Sequence, residues 1–196
     1  MRAFFVLLFI ITSFVVNAQT AYVDSMSAFI DNYIETHGVV QGHDKSHLSF
    51  YTIDKNYRTV ARVEKTANSA WFNMKTSGLL RPLYRVYGVA HFKVNNDSAQ
   101  LTIYQSQDLM QTEAYKAHLF IPFTDITSGT TSYAGGRYLD ISMSDIQNNS
   151  LVLDFNKAYN PYCAYVTGVY NCPIPPKENA LRIKIEAGEK TYSASH

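Results

Sequence analysis

From Ser49 onward apolar and polar residues alternate with a period of two, and residues 83–94 form the clearest run. Tyr84, Val86, Ala90, Phe92 and Val94 fall on one side with Gly88 among them; Arg85, Tyr87, His91 and Lys93 fall on the other. A pleated strand with one buried face requires this pattern, and an amphipathic helix does not produce it. Asn95-Asn96-Asp97 supplies turn chemistry, and residues 100–105 return with Leu101 and Ile103 on one face. The pair reads as an antiparallel hairpin. Residues 59–64, 70–74, 118–123, 137–143, 151–155 and 181–185 are further strand candidates, with Pro122 marking an end or an edge. No helical pattern between them supports parallel crossovers. The expectation is a mainly β fold, a single antiparallel β-barrel or β-sandwich.

The N-terminal stretch differs. Residues 1–18 have the form of a cleaved signal peptide: Arg2, an almost wholly apolar run from Ala3 to Val16, then Val16-Asn17-Ala18. That run is shorter than the ~20 residues that span a bilayer as a helix. Cleavage predicts an extracytoplasmic protein, periplasmic or secreted, with no transmembrane segment left. Residues 21–37 read as one amphipathic helix, with Met26, Phe29, Ile30, Tyr33 and Ile34 on its apolar face. The expected organisation is therefore a signal peptide at 1–18, a helix and connecting arm at 19–48, and a β-rich domain at 49–196.

With Arg2 removed, the 17 basic residues become as many as the 16 acidic ones. No basic footprint for nucleic acid is present. The 15 tyrosines suit half-buried strand positions, where the ring packs and the hydroxyl finds a partner.

Residues 159–179, YNPYCAYVTGVYNCPIPPKEN, hold both cysteines and four of the six prolines. An exported chain with two cysteines pairs them, so Cys163 and Cys172 are expected to form a disulfide. The prolines fix φ and stiffen the segment. It either presents Tyr and Asn side chains to a ligand or closes one end of the fold.

The combination TSGTTSYAGGRYLD (127–140), LDFNKAYNPYCAY (153–165), CPIPPKENAL (172–181) and AGEK (187–190) resembles the domain of unknown function 1684 family. YRVYGVAHFKV (84–94) and LFIPFTD (119–125) extend the likeness over residues 48–190. It implies a bacterial protein, often exported, and carries over no activity, substrate or cofactor. Some members have Pro at the place of Tyr162.

Within these motifs Tyr133, Arg137, Tyr138, Asp140, Asp154, Asn156, Tyr159 and Asn160 are candidate ligand-binding residues. On alternating strands Tyr138 and Asp140 face opposite to Arg137, and Asp154 and Asn156 opposite to Leu153 and Phe155. If the two strands are neighbours, Asp140, Asp154 and Asn156 converge. Carboxylates and amides bond hydroxyls and Tyr offers an apolar platform, which suits a small polar or saccharide ligand in a non-catalytic envelope role. The plainer alternative is a network that satisfies buried groups, with Arg137 pairing a carboxylate. An extracytoplasmic hydrolase or lyase using Asp140, Asp154 or His91 is a second reading, and a structural interaction module a third. His43-Asp44-Lys45-Ser46-His47 has Asp where the zincin pattern has Glu and lacks a third ligand, so no metal is expected. No cofactor motif stands out.

Overall fold

The structure is a computed structural model that describes residues 20–193; the expected signal peptide at 1–18 lies outside them. Strands β1 (Arg58–Lys65), β2 (Phe72–Asn73), β3 (Leu83–Val94), β4 (Asp97–Ser106), β5 (His118–Phe123), β6 (Arg137–Ser142) and β7 (Ser150–Asp154) form one antiparallel sheet. Their order is β6-β5-β4-β3-β1-β7, with β2 paired to the start of β3. The sheet curls into a half-barrel, which decides between the two architectures open to the sequence.

The β3–β4 hairpin closes through Asn95 (φ 49°) and Asn96 (φ 72°), with Val94 opposite Asp97. Two left-handed residues give a turn whose twist matches that of the strands.

The concave face holds the main core. Ala61 and Val63 of β1, Ala90, Phe92 and Val94 of β3, Leu101 and Ile103 of β4, Leu119, Ile121 and Phe123 of β5, and Leu151 and Leu153 of β7 pack there with Phe155 and Ile185. The outer face holds a second cluster of Met74, Tyr84, Tyr104, Phe120 and Tyr138.

A bulge divides β3 between these faces. Val86 pairs with Tyr104 and Gly88 with Ile103, which leaves Tyr87 as an extra residue. Before it, Tyr84 and Val86 join the outer cluster; after it, Ala90, Phe92 and Val94 join the concave core. The single apolar face expected for residues 84–94 is thus two half-faces, because one inserted residue reverses the alternation. Gly88 is required there: a Cβ would lie 2.7 Å from the Glu64 carbonyl oxygen on β1.

Residues 181–185 also depart from expectation. Leu181 and Ile185 are buried, but the segment forms no strand. Its first residues bond to the backbone of residues 124–126, with Leu181 N donating to Thr124 O (2.8 Å) and Ile126 N to Ile183 O (3.2 Å), and side chains take over at Ile185. Ile185 N donates to Asp125 Oδ1 (3.2 Å), and Arg137 Nη2 donates to Ile185 O (2.7 Å).

Helix α1 covers residues 20–35 and lies against the body through buried Met26 and the Tyr22 and Tyr33 hydroxyls. It stops two residues short of the expected end, because His37 Nδ1 accepts from the backbone N–H of Val40 (2.9 Å) and turns the chain away. Residues Gly42–His47 of the connecting arm wind into a 3-10 helix. No helix among the described residues is long and apolar enough to cross a membrane. None of their His, Cys, Asp and Glu side chains gather in threes that could hold a metal ion.

Candidate ligand-binding cleft

On the outer face, Tyr84 of β3, Phe120 of β5 and Tyr138 of β6 form a row of rings, with centroids 5.9 Å apart for Tyr84 and Phe120 and 4.7 Å for Phe120 and Tyr138. Two further elements rise over this row. Helix α1 contributes Phe29 and Tyr33, and the proline-rich segment contributes Tyr162, Tyr170 and Pro173. The space between them is a cleft of about 890 Å³. That volume is within the ~300–1,000 Å³ usual for small-molecule sites.

The proline-rich segment is fixed in place at several points. Cys163 and Cys172 are disulfide-bonded, as the sequence implied. Ser77 N donates to Cys172 O (2.9 Å), and Ile174 N donates to Lys75 O (2.8 Å). The Tyr138 hydroxyl donates to Pro173 O from the sheet below. The cleft wall is therefore tied to the sheet floor.

Polar groups in the cleft are few and placed. Among the described residues that line it, Asp140 on β6 is the one carboxylate, and its side chain is 46% exposed. Tyr159 OH donates to Asp140 Oδ2 (2.6 Å), and His118 Nε2 lies 3.0 Å from Asp140 Oδ1. A carboxylate oxygen accepts more than one hydrogen bond, so Asp140 keeps acceptor capacity toward the cleft. Burial and the neighbouring Asp140 charge push the Tyr159 hydroxyl well above its ordinary range, so it stays protonated and donates. Lys157 brings the balancing positive charge and stands over the Phe29 ring at 5.3 Å.

His37 lines the cleft from the α1 side. Burial, then the Lys45 charge, lower its pKa, so the ring is neutral. Because Nδ1 accepts from Val40 N, the proton sits on Nε2, which is buried and has no partner among the described residues.

The eight sequence-predicted residues divide into three groups. Tyr138, Asp140 and Tyr159 line the cleft together. Asp154 and Asn156 form a separate network under α1. Tyr22 OH donates to Asp154 Oδ2 (2.9 Å), Asn156 Nδ2 donates to Tyr22 OH (2.9 Å), and Arg58 stands 3.7 Å from Asp154. β6 and β7 occupy opposite ends of the sheet order and do not pair, so the premise for bringing Asp140, Asp154 and Asn156 into one cluster is not met. Asp140 and Asp154 share the walls of a second, smaller hollow with Arg58, Asp145 and Lys157.

Arg137 and Asn160 are buried in the interior, and Tyr133 donates to Cys163 O (3.3 Å). Asn160 N donates to Glu189 Oε2 (2.8 Å), and Tyr165 OH donates to the same carboxyl (2.8 Å). His91 stands at another surface, 3.7 Å from Glu64. His118, Phe120 and Tyr84 went unnoticed as site residues. Period-two alternation puts His118 and Phe120 on one face of β5, but only the β5–β6 register, with Phe120 opposite Asp140, brings that face to the site.

A family model described as a protein of unknown function (DUF1684) matches residues 44–190. No curated protein matches. Among solved structures, the solution NMR structure of an uncharacterized protein of Haloarcula marismortui is similar with a TM-score of 0.66 and 27% identity, over 89% of this chain and 97% of its own.

Proposed function

The chain belongs to the DUF1684 family of proteins of unknown function, and from its cleft we propose that it binds a small neutral polyhydroxyl ligand of the saccharide kind. The observation that carries this reading is Asp140. Its carboxylate is held by Tyr159 and His118 and left half exposed at the wall of a cleft floored with aromatic rings. Fixed acceptors beside flat apolar rings suit a sugar, whose hydroxyls need partners and whose C–H faces need a platform. Lys157 offsets the Asp140 carboxylate, which disfavours a strongly charged ligand.

In this reading the protein works outside the cytoplasm, after removal of residues 1–18. The Cys163–Cys172 bond supports this, since disulfides persist in oxidising compartments.

Calorimetric titration with neutral cello-, malto-, xylo- and chito-oligosaccharides tests the proposal. We expect one class to bind wild type and Asp140→Asn to weaken it about 10- to 100-fold, the worth of one hydrogen bond to a charged group. Absence of binding to every class, or equal binding by folded Asp140→Asn, would refute it.

A further inference from the structure

Two loops beside the cleft expose aliphatic side chains that no core contact accounts for. Leu79 is 93% exposed, Leu80 64%, Val169 62% and Ile174 48%. Hydrogen bonds hold the two loops against each other. Ser77 Oγ donates to Tyr170 O (3.2 Å), Cys172 N donates to Ser77 Oγ (3.1 Å), and Leu80 N donates to Asn171 Oδ1 (3.1 Å). Gly78 packs so closely on Asn171 that a Cβ would lie 2.1 Å from its Oδ1. The apolar tips therefore form one edge.

The charge on this edge has a single sign. Residues 66–83 contain Lys75 and Arg81 and no Asp or Glu, and residues 158–176 contain no charged residue, in a chain that is 17% charged overall. The edge is also stiff. The disulfide closes one loop, Tyr170 packs on Tyr162 at 5.0 Å between ring centroids, and Arg81 Nη1 donates to Gly78 O (2.7 Å) and Leu80 O (2.8 Å) within the other.

We infer that this edge docks on an anionic phospholipid surface, with Leu79, Leu80 and Val169 entering the headgroup layer and Lys75 and Arg81 facing the phosphates. Exposed aliphatics and tyrosines beside basic residues are the composition that partitions into a bilayer interface. Basic residues there add attraction to anionic lipid. Tips already ordered lose little freedom on docking. Leucines standing free on two loop tips suit insertion better than they suit a protein partner, which needs a continuous face of ~800 Å². Tyr162, Tyr170 and Pro173 also line the cleft, so docking brings the cleft mouth to the lipid surface. The inference stands whether or not the cleft takes a saccharide.

Vesicle flotation tests it, using the chain from Gln19 so that the apolar run of residues 3–16 is absent; every described element lies within residues 20–193. The probes are phosphatidylcholine vesicles with and without about one-third phosphatidylglycerol. We expect flotation with the anionic vesicles, weakened by salt and reduced at least tenfold by Leu79→Asp/Val169→Asp. Leu79→Ser, at a side chain with almost no contacts to lose, should reduce it with an unchanged melting curve. Absence of flotation with anionic vesicles, or equal flotation of the folded variants, overturns the inference. So does a dimer in light scattering that the double variant dissolves, because the edge then serves a second copy of the chain.

Discussion

Arg137 and Asp125 form an ion pair at 2.8 Å in which neither side chain reaches solvent. Arg137 extends inward from β6, opposite in direction to Tyr138 and Asp140. Its guanidinium also donates to the carbonyls of Ile185, Ala187 and Glu189. Asp125 in turn accepts from Thr127 N (2.7 Å) and Ile185 N (3.2 Å). The pair fastens the irregular C-terminal segment across the mouth of the half-barrel's core.

Arg137→Ala should therefore lower stability by about 3–5 kcal/mol, since it leaves Asp125 as an unpaired buried charge and strips three carbonyls of their donor. Urea unfolding measures this. The Arg137 side chain is buried on the face of β6 away from the cleft, so at low denaturant the folded fraction should bind any cleft ligand as wild type does. A loss below about 1 kcal/mol would contradict the assigned role.

Gly88→Ala should cost about 1–3 kcal/mol, because the new Cβ meets the β1 backbone at 2.7 Å and either the bulge or the β1–β3 pairing must shift. Hydrogen exchange locates the damage. The expectation is faster exchange at Glu64, which opposes Val89, and at Thr66, whose N–H donates to Tyr87 O (3.0 Å). Slower exchange there, or none of the stability loss, would count against the bulge as described.

Glu189 gives the fold a pH dependence. Burial pushes its carboxyl up from 4.5 to about 7, against the lowering effect of its bonds from Asn160 N, Tyr165 and Tyr33. The tyrosines around it are themselves held protonated by burial, and nearby His37 is kept neutral. Between pH 4.5 and about 7 the native chain keeps a proton at Glu189 that the unfolded chain has released. Stability contributed by that proton is complete below pH 4.5 and is lost as pH rises through about 7. The loss is about 3 kcal/mol over the window. Glu189→Gln should flatten this part of the profile, and denaturant melts across the window would reveal it. An unchanged slope in the variant would assign the dependence elsewhere.

Period two made the strands legible because each has one apolar face, and β3 emerged with the bounds the alternation marks. The bulge was hidden because Tyr87 packs as well against the core as it would outward, so the extra residue leaves no mark in polarity. The opposed directions of Arg137 and Asp140 follow from one strand alone. Their partners do not. Asp140 meets His118 from β5 and Tyr159 from beyond β7, and nothing local in the sequence encodes that β5 rather than β7 lies beside β6. Residues 181–185 alternate like a strand but make isolated backbone bonds to residues 124–126 and pass to side-chain partners at Ile185, a distinction period two cannot express.

The Cys163–Cys172 bond is the last place where covalent structure and the cleft meet. It closes a short loop, whose entropy in the unfolded chain is worth about 2–3 kcal/mol. The same loop places Tyr162, Tyr170 and Pro173 on the cleft wall, and the Tyr138 hydroxyl fastens it at Pro173 O. Reduction should thus lower the melting temperature of wild type by several degrees, an effect of the size expected for that free energy in a domain of this length. Cys163→Ser/Cys172→Ser should melt at the reduced wild-type temperature and ignore reductant. The backbone bonds from Ser77 and Ile174 do not depend on sulfur, so the variant should keep its far-ultraviolet circular dichroism. A variant as stable as oxidised wild type would show that the loop is held by the sheet alone.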